Sequence, residues 1–418
     1  MPESWSIAEA EWLTTPESQP WLEILAATTS VLPSLVARLR GAVGPPRTAA
    51  LLELWEARRR AASKFPRSDE LFFTRKGLEQ STDVWIAAWK AQRFRGRSST
   101  VDLGCGIGGD LMGLAAESAT IGVDCDPVSA HFARCNIVRI GLQAGLRVAR
   151  VEELDPWEFD GWHCDPDRRT STRRTTRVQF SAPSDFWIDR WRAALPHGAI
   201  KLAPAAGVPP NWCVGEREWI ESRGECRQQL VWFGELARNP GLHTATLVPV
   251  QGEPATFSGP PNGQSERTDS FAGRDASRGP MPKYLFEPTP SILAAKLTRA
   301  FAREYELEWF DPAPVMLCGD APRRHPLLQS FEVLEAIPFD RKRLVELLRH
   351  LDGGTIEVKT RGVRVDAMRA QEMLRLDGSR PLTVLLLPRG GSTTAVVARR
   401  IDAETNAGSF NLNSNPGR

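Results

Sequence analysis

Residues 101–110 read VDLGCGIGGD, and they restrict the fold more than any other part of the chain. They lie between a short apolar run at 100–103 and a helical pattern at 111–116. Gly104, Gly106, Gly108 and Gly109 let the backbone turn tightly and approach a ligand closely, while the helix start behind them offers unpaired N–H groups and partial positive charge. From residue 100 onward, short apolar runs alternate with helical stretches. Strands are expected at 100–103, 120–123, 147–151, 161–164 and 198–202, joined by crossover helices into a buried, mainly parallel sheet. Longer runs at 228–236 and 244–250, parted by Asn239, Pro240 and Gly241, read as a closing antiparallel hairpin.

Gly104, Gly106 and Gly109 satisfy the dinucleotide pattern GxGxxG, which is weak evidence by itself. Asp102 argues for another ligand. A carboxylate just before the loop disfavours a pyrophosphate and favours a cationic amino-acid ligand; S-adenosylmethionine carries an ammonium and a sulfonium and no phosphate. Asp124 ends the next strand, where a carboxylate can accept from both ribose hydroxyls. Glu152 or Glu153 follows the third strand, within reach of an adenine amino group. Asp165 and Pro166 follow the fourth. His163 and Cys164 beside them read as packing residues.

Asp102 with the glycine run, Asp124 within DCDP, and Asp165 with Pro166 resemble the class I S-adenosylmethionine-dependent methyltransferases over about residues 99–250. The resemblance implies an α/β fold with a Rossmann-like seven-stranded sheet, its reversed seventh strand within 228–250. It also implies roles. Asp102, Gly104, Cys105, Gly106 and Gly108 would hold the methionine part and Asp124 the ribose, with Cys125 beside it also among the cofactor-binding residues. Glu152 or Glu153 would hold the adenine, and Asp165 would be the catalytic residue facing the methyl acceptor. Within that family, VDLGCGIGGDLMGLA and GVDCDPVSAHFARCNI are similar to the branch of trimethylguanosine synthase and other RNA methyltransferases. KYLFEPTPSILAAKL at 283–297 and GTIEVKTRGVRVD at 354–366 are similar to bacterial proteins with a THUMP-like C-terminal domain.

The chain departs from the family after Asp165. Enzymes acting on base nitrogens carry a stacking aromatic at this strand end, whereas here Pro166 is followed by Asp167, Arg168 and Arg169. Trp157, Phe180, Phe186 and Trp187 are substitutes from adjoining segments, though each reads more readily as core. Arg168, Arg169, Arg173, Arg174 and Arg177 form a self-repelling cluster that an anionic partner would relieve. Together with Pro166 they are the expected substrate-binding residues, and RNA is the expected partner through phosphate contacts. A solvated loop is the bland alternative. Lys359, Arg361 and Arg364 form a second, weaker patch. The altered run also keeps two rivals in view: a non-catalytic RNA-binding or assembly factor that retains the fold, and a methyltransferase of protein or a small molecule.

The remaining sequence organises around this core. Residues 1–98 form a helical region, with helices at 22–38 and 48–63 punctuated by Pro33, Pro45 and Pro46, and an amphipathic helix across 62–80. Residues 251–282, rich in Gly, Pro and Ser, read as a flexible linker. Residues 283–400 read as a small α+β module ending in a βαβαββ order, and 401–418 as a disordered tail. A formal charge of +2 excludes a global field toward nucleic acid, so any basic site is local. Seven cysteines without a CxxC pair, and six scattered histidines, argue against a disulfide framework or a metal site. With no basic-apolar leader and no long apolar run, a cytoplasmic protein without a membrane segment is expected.

Overall fold

The computed structural model describes residues 5–167, 169–170, 173–174, 182–262, 273–275, 279–311, 315–372, 374 and 376–401. The chain divides into two compact units. One comprises Met1–Glu216 and Gln228–Pro240; the other comprises Arg217–Arg227 and Gly241–Arg418.

In the first unit, β1 (Thr100–Leu103), β2 (Thr120–Asp124), β3 (Gly145–Val148), β4 (Gly161–Cys164) and β5 (Gly198–Leu202) are all parallel, in the order β3-β2-β1-β4-β5. Strands β1 and β4 are buried at every position, as a sheet covered on both faces requires. Helices α6 (Gly109–Glu117) and α7 (Pro127–Arg139) make the first crossovers. Because the strands are parallel, Leu103, Asp124, Cys164 and Leu202 all end at one edge of the sheet.

Two expectations about the sheet need correction. Residues 216–222, which carry three acids, form an unforeseen strand, β6 (Glu216–Ser222), followed by β7 (Glu225–Phe233). Residues 229–233 of β7 run antiparallel to β5 and supply the reversed strand expected within 228–250. The run at 244–250 does not fold back on 228–236; β8 (His243–Leu247) belongs to the second unit, parallel to β6 and antiparallel to β9 (Ala255–Gly259). The acids hid β6 because charged residues rarely lie buried in a strand unless paired. Here Glu216 is held by Arg93 at 2.6 Å, Glu218 accepts from Thr246 at 2.6 Å, and Glu221 accepts from the Ser291 backbone at 2.9 Å. β9 also lies inside the stretch read as a linker; residues 263–272 and 276–278 of that stretch, like 402–418 of the expected tail, fall outside the described residues.

The N-terminal helices are α1 (Ile7–Leu13), α2 (Gln19–Ala26), α3 (Pro33–Ala61), α4 (Arg75–Gln80) and α5 (Val84–Ala91). The helix expected at 22–38 is broken between Ala26 and Pro33, and α3 itself breaks at Gly44, just before Pro45 and Pro46. Within 62–80 only α4 is helical, and Phe65, Leu71, Phe72, Phe73 and Leu78 are all buried. Asn136 of α7 ties this segment to the glycine loop: its amide accepts from the Phe72 N–H at 2.7 Å and donates to the Phe72 and Ile107 carbonyls at 2.9 and 3.0 Å. One core cluster accordingly runs from Leu13, Leu51 and Phe73 to Ile107 and Phe132.

In the second unit, Tyr284–Pro288, Leu328–Pro338, Ser392–Ile401, Arg380–Arg389 and Gly353–Thr360 hydrogen-bond in that order. The βαβαββ ending is present, with helices Arg341–His350 and Ala367–Glu372 and the final hairpin turning at Gly390 and Gly391.

Candidate active site at the carboxyl edge of the first sheet

The glycine loop starts where β1 ends. The Gly104 and Cys105 N–H groups both donate to the Val123 carbonyl, at 2.8 and 3.0 Å, locking the loop to β2. Gly104 has φ +75°, and a Cβ there would stand 2.8 Å from the Asp165 carbonyl oxygen, so only glycine lets the loop pass the end of β4 this closely. A Cβ on Gly106 would meet nothing within 4 Å, which leaves the outer side of the loop open to a ligand. Gly108 caps α6 with φ +92°.

Asp124 holds the loop as well as ending β2. Its two oxygens accept from the Gly106 N–H at 2.8 Å and the Asp126 N–H at 2.9 Å, and burial raises its carboxyl against those hydrogen bonds. Cys105 is buried, with its thiol pushed well above the ordinary range by burial, so it packs; Cys125 is exposed. Glu152 and Glu153 lie in the turn Val151–Glu153, where Glu152 pairs with Arg150 at 3.6 Å and Glu153 accepts from the Arg150 N–H at 3.2 Å.

Asp102 is deeper than its expected role implies. In the parallel register Asp102 stands opposite His163, and its Oδ1 contacts His163 Nδ1 at 2.7 Å. Burial raises its carboxyl, with His163 opposing, and Oδ2 has no hydrogen-bond partner among the described residues. A buried oxygen without a partner is costly, and a cationic group bound over the loop would relieve it. An ammonium-bearing ligand such as S-adenosylmethionine therefore fits the residues present.

The β4–β5 end of the edge is built from charges that sequence reading did not collect. The register pairs Cys164 with Ile200, so Asp165 and Lys201, each the next residue, emerge side by side on the same face. Lys201 Nζ lies 2.6 Å from Asp165 Oδ2, 3.7 Å from Asp110 Oδ2 and 3.3 Å from the Gln80 carbonyl. Behind it, Lys90 Nζ contacts Asp110 Oδ1 at 2.5 Å and His163 Nε2 at 3.4 Å, and Thr82 donates to Asp110 at 2.8 Å. Lys90 reaches Asp110 because α5 and α6 approach closely: a Cβ on Gly113 would stand 2.5 Å from the Ala87 carbonyl oxygen. Burial lowers the Lys90 ammonium against the pull of Asp110. For Asp110, burial is outweighed by Lys90 and Lys201, and its carboxyl is held below the ordinary carboxylate range. A polar chain thus runs Asp102–His163–Lys90–Asp110–Lys201–Asp165. Its visible sequence signals were single charges inside apolar stretches, Lys90 in AAWKA and Lys201 in GAIKL.

Of the expected substrate residues, Pro166 is buried, and Asp167 beside it is clamped by Lys76 at 2.9 Å and Gln80 at 3.2 Å. Arg169–Thr170 pairs antiparallel with Arg173–Arg174; Arg168, Arg177 and Phe180 lie outside the described residues. Trp157 and Phe186 are exposed, 76% and 67%, rather than core. In the second unit Lys359 and Arg361 both pair with buried Glu287, Lys359 at 2.6 Å, so one carboxylate offsets part of the charge of this patch. No described helix is long and apolar enough to cross a membrane.

A parallel-rich α/β sheet with a glycine loop and an acid at successive strand ends defines a nucleotide-cofactor enzyme fold, and the comparisons narrow it. Two Mycobacterium tuberculosis proteins, from strains CDC 1551 and H37Rv, are described as uncharacterized S-adenosylmethionine-dependent methyltransferases; each is 32% identical over 361 residues, covering 83% of this chain and 95% of its own. A family profile described as THUMP domain-like matches residues 328–400. A crystal structure from Porphyromonas gingivalis W83, assigned by its description to the methyltransferases, shares the fold with TM-score 0.73 at 19% identity over 94% of this chain and 99% of that one. The chain belongs to the S-adenosylmethionine-dependent methyltransferase family. It is an enzyme of that class, uses S-adenosylmethionine as cofactor and carries a THUMP-like domain at its C-terminus.

Proposed function

We propose that the enzyme methylates RNA in the cytoplasm, with Asp165 as the catalytic residue. The observation that carries this reading is the position of Asp165: it stands at the end of β4, its backbone against Gly104 of the cofactor loop, and the arginine-rich segment begins three residues later. S-adenosylmethionine supplies a methyl group on a sulfonium, already a good leaving group, so the protein needs chiefly to align the acceptor and exclude water. The Gly104, Cys105, Gly106 and Gly108 loop and Asp102 would hold the amino-acid end of the cofactor. Asp124 and Cys125 would hold the ribose, and Glu152 or Glu153 the adenine. Asp165 would orient the acceptor atom and take its proton, while Arg168, Arg169, Arg173, Arg174 and Arg177 hold phosphates beside it. The THUMP-like module supports RNA as the substrate class only by analogy.

Extract from a strain lacking the protein, incubated with the purified chain and tritiated S-adenosylmethionine, tests the reading once RNA, protein and small molecules are separated. Label in RNA is expected. Label confined to the protein or small-molecule fraction would replace RNA with that substrate class.

A further inference from the structure

We propose that Lys201 is the positioning residue for Asp165 and acts on methyl transfer only through it. The proposal rests on Asp165 serving the acceptor, and it adds the group that fixes its carboxylate. Asp165 sits at a strand end, where the side chain of an aspartate can turn about two bonds. Lys201 removes that freedom, because its side chain is 11% exposed and its ammonium lies 2.6 Å from Asp165, whose side chain is 27% exposed. If Asp165 turned away, a mostly buried ammonium would lose its nearest carboxylate, which is unfavourable in a site of low dielectric.

Lys201 is itself anchored from behind. Asp110 stands 3.7 Å away and is held by Lys90 and Thr82, and the Gln80 carbonyl accepts from Lys201 at 3.3 Å. The N-terminal segment therefore takes part in shaping the acceptor site, through α5 and the last residue of α4. In the reaction a bond forms between the acceptor atom and the methyl carbon while the carbon–sulfur bond breaks, its electron pair returning to sulfur. The acceptor's proton passes to Asp165 and then to water. A carboxylate displaced by about 1 Å would lose the alignment this needs, at a cost of about 10²-fold.

The test is a double-variant cycle in the full chain, read as initial rates of tritium transfer to the same extract, with S-adenosylhomocysteine binding as the check on folding. Lys201→Met is expected to lower kcat by about 10²-fold while KM for S-adenosylmethionine stays within about two-fold, and Lys201→Arg to recover about ten-fold of the loss. Adding Lys201→Met to Asp165→Asn is expected to cost nothing further, since the two residues act as one unit. Losses that multiply in the double variant, or an unchanged kcat in Lys201→Met, would overturn the proposal. Should the Met variant fail to fold, Lys201→Arg alone and with Asp165→Asn makes the same comparison. Label in protein rather than RNA sinks the RNA reading and leaves this one standing; a wild-type chain that labels nothing sinks both.

Discussion

The two halves of the carboxyl edge are built by different physics. On the β1–β2 side the edge is main chain: Gly104 and Gly106 at positive φ, locked by hydrogen bonds to the Val123 carbonyl and the Asp124 carboxylate. On the β4–β5 side it is a chain of side-chain charges drawn from four separate segments: Lys90, Asp110, Asp165 and Lys201. A backbone cradle needs particular residues at consecutive positions, whereas a charge chain needs only that the fold bring distant residues together. The first kind of site leaves a motif in the sequence, and the second does not.

Breaking the charge chain at its deepest point should have the largest effect. Lys90→Met leaves Asp110 with less compensation in the interior and is expected to lower unfolding free energy by about 3 to 5 kcal/mol, measured by urea denaturation. A variant as stable as wild type would mean that Lys201 and Thr82 suffice. On the cradle side, Asp124→Ala is expected to weaken S-adenosylhomocysteine binding by about 1 to 3 kcal/mol in calorimetry, through lost ribose hydrogen bonds and a loosened Gly106. Unchanged affinity would place the ribose elsewhere.

Acid should separate the two halves further. The folded Asp124 carboxyl is raised by burial, so it begins to take up protons above the ordinary aspartate value of about 3.9, and cofactor affinity should fall there first. The folded Asp110 carboxyl is depressed, so its contribution to stability is fully present above that value and is lost only as pH falls below it toward the folded pKa. Calorimetry and urea unfolding across the same pH series check the order; stability lost before affinity would reverse the assignment.

Sequence legibility followed the same division. The strand–loop–helix at 100–117, the strand ends at Asp124 and Asp165, and the C-terminal strands and helices could be read because periodicity and glycine spacing are local signals. Strand β6 was missed because Glu216, Glu218 and Glu221 mask its burial, and their partners lie at Arg93, Thr246 and Ser291. The ion pairs of Lys359 and Arg361 left no local signal because their shared partner, Glu287, is about seventy positions away in the chain.

A smaller effect is expected from the arginine segment. Replacing Arg173, Arg174 and Arg177 with Ser should weaken RNA binding across sequences and flatten its salt dependence by up to about 0.7 per lost contact. An unaltered slope would make the segment ordinary surface.

Methyl transfer to RNA through Asp165 is tested by mass spectrometry of nucleosides from total RNA of a strain lacking the protein. One methylated nucleoside should be missing, should return with the wild-type chain, and should stay missing with Asp165→Ala expressed at an equal level. Identical nucleoside profiles with and without the protein, or full restoration by Asp165→Ala, would contradict it.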